Sequence, residues 1–118
     1  VNPRSGSGKW YLETGAGMGA TLNLAVARGA YALTDRATWL AFGNRRGLAI
    51  LLEGDRRLYN PYGVMLVNPT RHPHVKKADG LTFIQWLTGP VGQAAIDGFR
   101  IHGKQVFFPS AGAGQLPQ

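Results

Sequence analysis

The chain has 118 residues, 44% of them apolar, which is enough to bury a core and suits one domain, not two full ones. Lys plus Arg number 13 against 6 acids, and the formal charge of +7 reads either as a match to an anionic partner (a nucleic acid, an acidic lipid or an oxyanion) or simply as a charge that keeps the chain in solution. No basic run exceeds two residues and no apolar run reaches the roughly 18–20 residues of a membrane span, so neither a nucleic-acid stripe nor a spanning helix is expected; the lack of cysteine excludes disulfides, thiolate metal sites and cysteine nucleophiles.

Val1 runs directly into Asn-Pro-Arg-Ser-Gly-Ser-Gly with no signal-peptide pattern, so the start reads as a mature or clipped end. Residues 1–9 are polar and Gly/Ser-rich and read as a loop, followed by a short extended piece at Trp10-Tyr11-Leu12. Glu13-Thr-Gly-Ala-Gly-Met-Gly-Ala-Thr21 then forms a glycine-rich turn opening into a helix. In that helix Met18, Leu22, Ala25 and Val26 share one apolar face, and Arg28-Gly29 supplies the end, a base in the last turn before a left-handed glycine.

Tyr31–Thr34 reads as a short strand, and Asp35 as the cap of a helical turn carrying Trp39, Leu40 and Phe42. Gly43–Gly47 is a turn, Leu48–Glu53 a buried strand, Gly54–Arg57 another turn, and Tyr62–Asn68 a second apolar strand. A helix is predicted over about His74–Thr88, stopped by Gly89-Pro90, with Pro90 opening a further helix that buries Val91, Ala94, Ala95 and Phe99. Gly103 turns the chain into Val106–Phe108, and the tail from Ser110 is expected to fray. Trp39 and Trp86 sit among apolar neighbours and read as core. Helices alternate with strands throughout, which argues for an α/β layered domain.

The glycine turn is the sharpest local signal. Few side chains shield its backbone, and the first turn of the following helix carries unpaired N–H groups and a partial positive charge on which an anion can sit. Thr14 and Thr21 are placed to add hydroxyl donors. The alternative is that the glycines only permit a tight turn and close packing. The pattern is not Gly-x-Gly-x-x-Gly and no Lys-Ser/Thr pair follows it, which disfavours nucleotide sites.

The second signal is Leu33-Thr-Asp-Arg-Ala-Thr-Trp39, where Arg36 offers a fork of donors and Asp35 either orients that fork or caps the turn. His72-Pro-His74 lacks a third metal ligand and reads as a solvated loop, and no metal site is expected. The six acids show no clustered pair for acid/base work, and Ser5, Ser7 and Ser110 lie in no nucleophile elbow; the chain does not read as an enzyme.

Three stretches together resemble the tungstate-binding proteins of bacterial ABC transporters, within the periplasmic-binding-protein-like superfamily. They are Trp10–Leu22, Ala30–Leu40 and Glu53–Val64; Phe83–Leu87 and Gly89–Ile96 are shared more widely among solute-binding proteins. The resemblance implies a type II, three-layer α/β sandwich in two hinged lobes, of which this chain is a C-terminal fragment. Residues 1–58 would be part of the second lobe, 59–63 the hinge crossing, 64–109 the C-terminal part of the first lobe, and 110–118 a disordered tail. It further implies capture of tungstate or molybdate, without other cofactor, by Thr14, Gly17, Met18, Gly19, Thr21, Asp35 and Arg36.

The partners it implies are an ABC permease and either the N-terminal half of the same protein or a swapped homodimer, in a periplasmic or extracytoplasmic setting. Family members also carry an N-terminal Thr/Ser-rich anion loop and an Arg-x-Asp-x-Ser-Gly-Thr stretch, neither of which occurs in these 118 residues. The competing reading is an oxyanion-sensing regulatory domain of the same fold in a cytoplasmic transcription factor.

Overall fold

A computed structural model describes residues 2–6 and 8–112. It divides the chain into two compact units, residues 1–49 and 50–118.

The first unit holds three helices among its described residues: α1 (Pro3–Gly6), α2 (Met18–Arg28) and α3 (Arg36–Ala41). The short α1 lies where a loop is expected; Asn2 starts it, its side-chain oxygen accepting from the Arg4 N–H at 2.9 Å. The predicted apolar face of α2 is present, with Leu22 and Ala25 buried. Gly29 takes the left-handed conformation (φ 58°), and the N–H groups of Gly29 and Ala30 reach back to the Val26 and Ala25 carbonyls, closing the helix in a Schellman motif.

Arg45 closes α3. Its guanidinium donates to the carbonyls of Trp39, Leu40 and Phe42 and lies 4.7 Å from the Trp39 ring centre. Trp39 is therefore half-buried beneath a cation, not sealed in a core.

The second unit opens with irregular chain and a 3-10 turn at Arg56–Leu58, then α4 (Lys77–Thr88), α5 (Pro90–Gly98) and a hairpin of β1 (Arg100–Ile101) and β2 (Lys104–Gln105). Helix α4 starts three residues later than predicted. The His72 carbonyl accepts the Val75 N–H at 3.0 Å and the Val75 carbonyl the Lys77 N–H at 2.9 Å, so tighter turns occupy the start of the predicted helix. Gly92 sits against the end of α4, where a Cβ would lie 2.8 Å from the Leu87 Cα; the missing side chain lets α4 and α5 meet.

His102 and Gly103 both have positive φ, the requirement of a two-residue hairpin turn, and this hairpin was not predicted. Ser110 and Ala111 do not fray: both N–H groups donate to Gln93 Oε1. The rest of the expected loose tail, residues 113–118, lies outside the described residues.

The predicted strands are the main departure. Tyr31–Thr34, Leu48–Glu53 and Tyr62–Asn68 have no regular secondary structure, and among the described residues none of them joins a ladder. A strand is stable only against a partner edge. Their side chains show the same lack: Leu51 is 75% exposed and Met65 80%. On α4, Phe83 stacks on Trp86 with ring centres 6.0 Å apart, and both remain about half exposed, so Trp86 is not core here.

Candidate functional site

The glycine turn and the start of α2 are built from local rules. Gly15 has φ +61°, a conformation glycine adopts without strain, and it folds the chain back so that Thr14 meets Thr21. The two hydroxyl oxygens lie 2.8 Å apart, and Thr14 Oγ1 also accepts the Ala16 N–H at 3.2 Å. Gly17 is the N-cap residue with extended backbone, and no side chain caps the helix. The first helical bond runs from the Thr21 N–H to the Gly17 carbonyl at 3.0 Å. The N–H groups of Met18, Gly19 and Ala20 therefore have no partner within the helix.

A Cβ placed on Gly17 or Gly19 would meet nothing within 4 Å, so the backbone of this turn opens onto free space. Glu13, the nearest acid in sequence, is tied up in an exposed ion pair with Arg4. The place thus offers donors and partial positive charge with its neighbouring carboxylate neutralised.

The second predicted segment behaves differently. Asp35 caps α3 with both oxygens: Oδ1 accepts the Thr38 N–H and Oδ2 the Thr38 hydroxyl, each at 2.7 Å. Thr34 Oγ1 donates to the Asp35 carbonyl. Partial burial pushes the Asp35 carboxyl up, but the bonds from Thr38, with those of the Asp35 and Ala37 backbone, outweigh it and hold the group below the usual carboxylate range. A carboxylate so engaged is a cap, and its charge would repel an anion. Arg36 is the exposed first residue of α3.

The structure therefore brings Thr14, Gly17, Met18, Gly19 and Thr21 together, and gives Asp35 to its own helix. Two residues escaped the sequence reading. The Ala20 N–H is the third open donor, legible from counting the first helical turn, and Thr38 is the partner of Asp35, legible from its position three residues on. Among the described residues no three His, Asp or Glu side chains gather as a metal site; His72 and His74 meet edge to face, with ring centres 6.0 Å apart.

The family model of the PBP superfamily domain matches residues 4–91, a span that contains both helix openings. The chain belongs to the PBP superfamily. It is 43% identical over 110 residues, 89% of this chain and 32% of the relative, to a Haloferax volcanii protein that carries the provisional name ABC transporter anion-binding protein. It is 34% identical over 106 residues to the tungstate-binding protein TupA of Peptoclostridium acidaminophilum (88% of this chain, 37% of the relative). To the tungstate-binding protein TupA of Campylobacter jejuni it is 33% identical over 102 residues (83% of this chain, 38% of the relative). The chain spans about a third of the length of these curated relatives. No solved structure matches it.

Proposed function

We propose that these residues form the oxyanion-binding part of a solute-binding protein serving an ABC importer, with tungstate, or the similarly shaped molybdate, as ligand. One observation carries the reading: the start of α2 has three N–H groups without helical partners and no side-chain cap, in a chain whose relatives are named for binding anions. An oxyanion accepts hydrogen bonds in every direction, so backbone donors suit it. One helix terminus contributes about 0.3–2 kcal/mol, so further donors must converge; the Thr14–Thr21 hydroxyls supply one source and Arg36 is a candidate for another. This is capture by a binding protein, not catalysis. Closure of two lobes about a hinge at residues 59–63 would complete the donor set, with residues 1–58 in one lobe and 64–109 in the other.

The test is titration calorimetry of the complete gene product carrying these 118 residues with sodium tungstate, sodium molybdate and sodium sulfate. Saturable uptake of tungstate is expected; heat no greater than dilution for all three would overturn the reading.

We further propose that the segments at 48–52 and 62–68, which join no ladder among the described residues, take strand partners from the rest of that gene product, outside the cytoplasm and beside the importer's permease. Burying such side chains is worth about 1.5–3 kcal/mol each. The 118 residues expressed alone should then run as aggregates or dimers in light scattering. A monomer with a cooperative melt would show that no such partner is needed.

A further inference from the structure

Residues 105–111 of the second unit are tied to α5 at both ends. Gln105 Nε2 donates to Asp97 Oδ1 at 2.8 Å, and Val106, only 2% exposed, donates its N–H to the Phe99 carbonyl. At the far end Gln93 Oε1 accepts from the Ser110 and Ala111 N–H groups, while its Nε2 donates to the Leu87 carbonyl at 2.8 Å. Phe107 sits between these ties. Its ring stacks on that of Phe99, with centres 6.3 Å apart and 21° between planes, and meets the ring of Tyr62 edge to face at 5.9 Å. Tyr62 belongs to irregular chain that joins no ladder among the described residues, and its side chain is 72% exposed. A well-anchored ring is thus set against a residue of the stretch about which the lobes are proposed to turn.

Resting on the two-lobed oxyanion reading above, we propose that Phe107 is a positioning residue for closure. Through Tyr62 it pins the end of the crossing at 59–63, so that bending is confined to residues ahead of Tyr62. A crossing with one pinned end has fewer open arrangements, and closing on an anion then loses less conformational freedom. Phe107 and Tyr62 touch none of residues 14–21 through these rings, so releasing the pin leaves the proposed anion donors in place and still weakens capture. The two rings act through one contact, and loss of either has the same consequence as loss of both.

The experiment uses the complete gene product with Tyr62→Leu, Phe107→Leu and the double variant, and Tyr62→Phe as the conservative change. Affinity for sodium tungstate is measured by calorimetry and stability by melting scans. Either Leu variant should bind about three- to tenfold more weakly, the fold-change to which the coupling of one aromatic pair converts, and the double variant no more weakly than the singles. Tyr62→Phe keeps the ring and should bind like the wild type. Tyr62 is largely exposed, so its variants fold even where Phe107→Leu does not, and Tyr62→Leu against Tyr62→Phe then decides. Leu variants that melt lower yet bind normally show a merely structural contact and overturn the proposal, as do losses that add in the double variant. Wild-type protein that takes up no tungstate overturns the oxyanion reading, and the proposal with it.

Discussion

Helices α2 and α3 begin in the same unit, at Met18 after Gly17 and at Arg36 after Asp35, and they solve the same problem in opposite ways. Every helix starts with N–H groups that lack an internal partner. At α3 the chain answers from within: Asp35 caps Thr38 twice over and places a negative charge at the positive end of its own helix. At α2 it gives no such answer. Gly17 stands at the cap position, no side chain accepts from the first turn, and the space beside Gly17 and Gly19 is empty of protein. A cap residue strengthens a helix, so leaving one out costs stability unless something else accepts those bonds. The two openings differ in that the first N–H groups of α2 are left without a side-chain acceptor while Asp35 accepts at α3.

The comparison breaks most sharply if α2 is made to resemble α3. Gly17 has φ −64° and ψ 165°, a backbone that any residue adopts, and no steric obstacle lies within 4 Å of its Cβ position. Gly17→Asp should therefore fold and, as a cap, hold or slightly raise the melting temperature, since aspartate and glycine caps differ by only a few tenths of a kcal/mol. Its carboxylate would take the N–H donors and repel a dianion. Calorimetry should show tungstate affinity down by about 100-fold, or about 2.7 kcal/mol. Unchanged affinity would remove the start of α2 from the site.

What the residues revealed beforehand followed from how local each rule is. The apolar face of α2, the left-handed Gly29, the Asp35 cap and Pro90 at the first turn of α5 depend on neighbours within a turn or two, and each is where the spacing puts it. The strands depend on partners distant in the chain. Leu48–Glu53 and Tyr62–Asn68 carry the right side chains, yet extended chain becomes a strand only when another edge meets it. The start of α4 lies later than side-chain periodicity suggests because periodicity does not register the backbone turns closed by the His72 and Val75 carbonyls.

In the candidate site the glycines and both threonines were legible as donors. The bond between Thr14 and Thr21 was not, because it spans seven residues and exists only once Gly15 has reversed the chain. Asp35 was legible as a residue of consequence but ambiguous in role until its two oxygens were accounted for.

The smaller prediction sharpens the same contrast from the closed side. Asp35→Ala removes the cap of α3 and should lower stability by about 1 kcal/mol, within the 0.5–2 kcal/mol range of such losses, with a matching fall in melting temperature. Tungstate affinity should move far less than in Gly17→Asp, because the lost carboxylate served its own helix. The sign of the pH dependence follows from the depressed Asp35 carboxyl. A group held below its unfolded value contributes stability that is fully present above the ordinary carboxylate range and is lost as pH falls through the folded value. Melting scans between pH 7 and pH 3 should therefore show the gap between wild type and Asp35→Ala constant at the upper end and closing at the lower. A gap that widens on acidification would mean that the ionised carboxylate is not what stabilises the start of α3, and the opposition between the two helix openings would then lack its charge term.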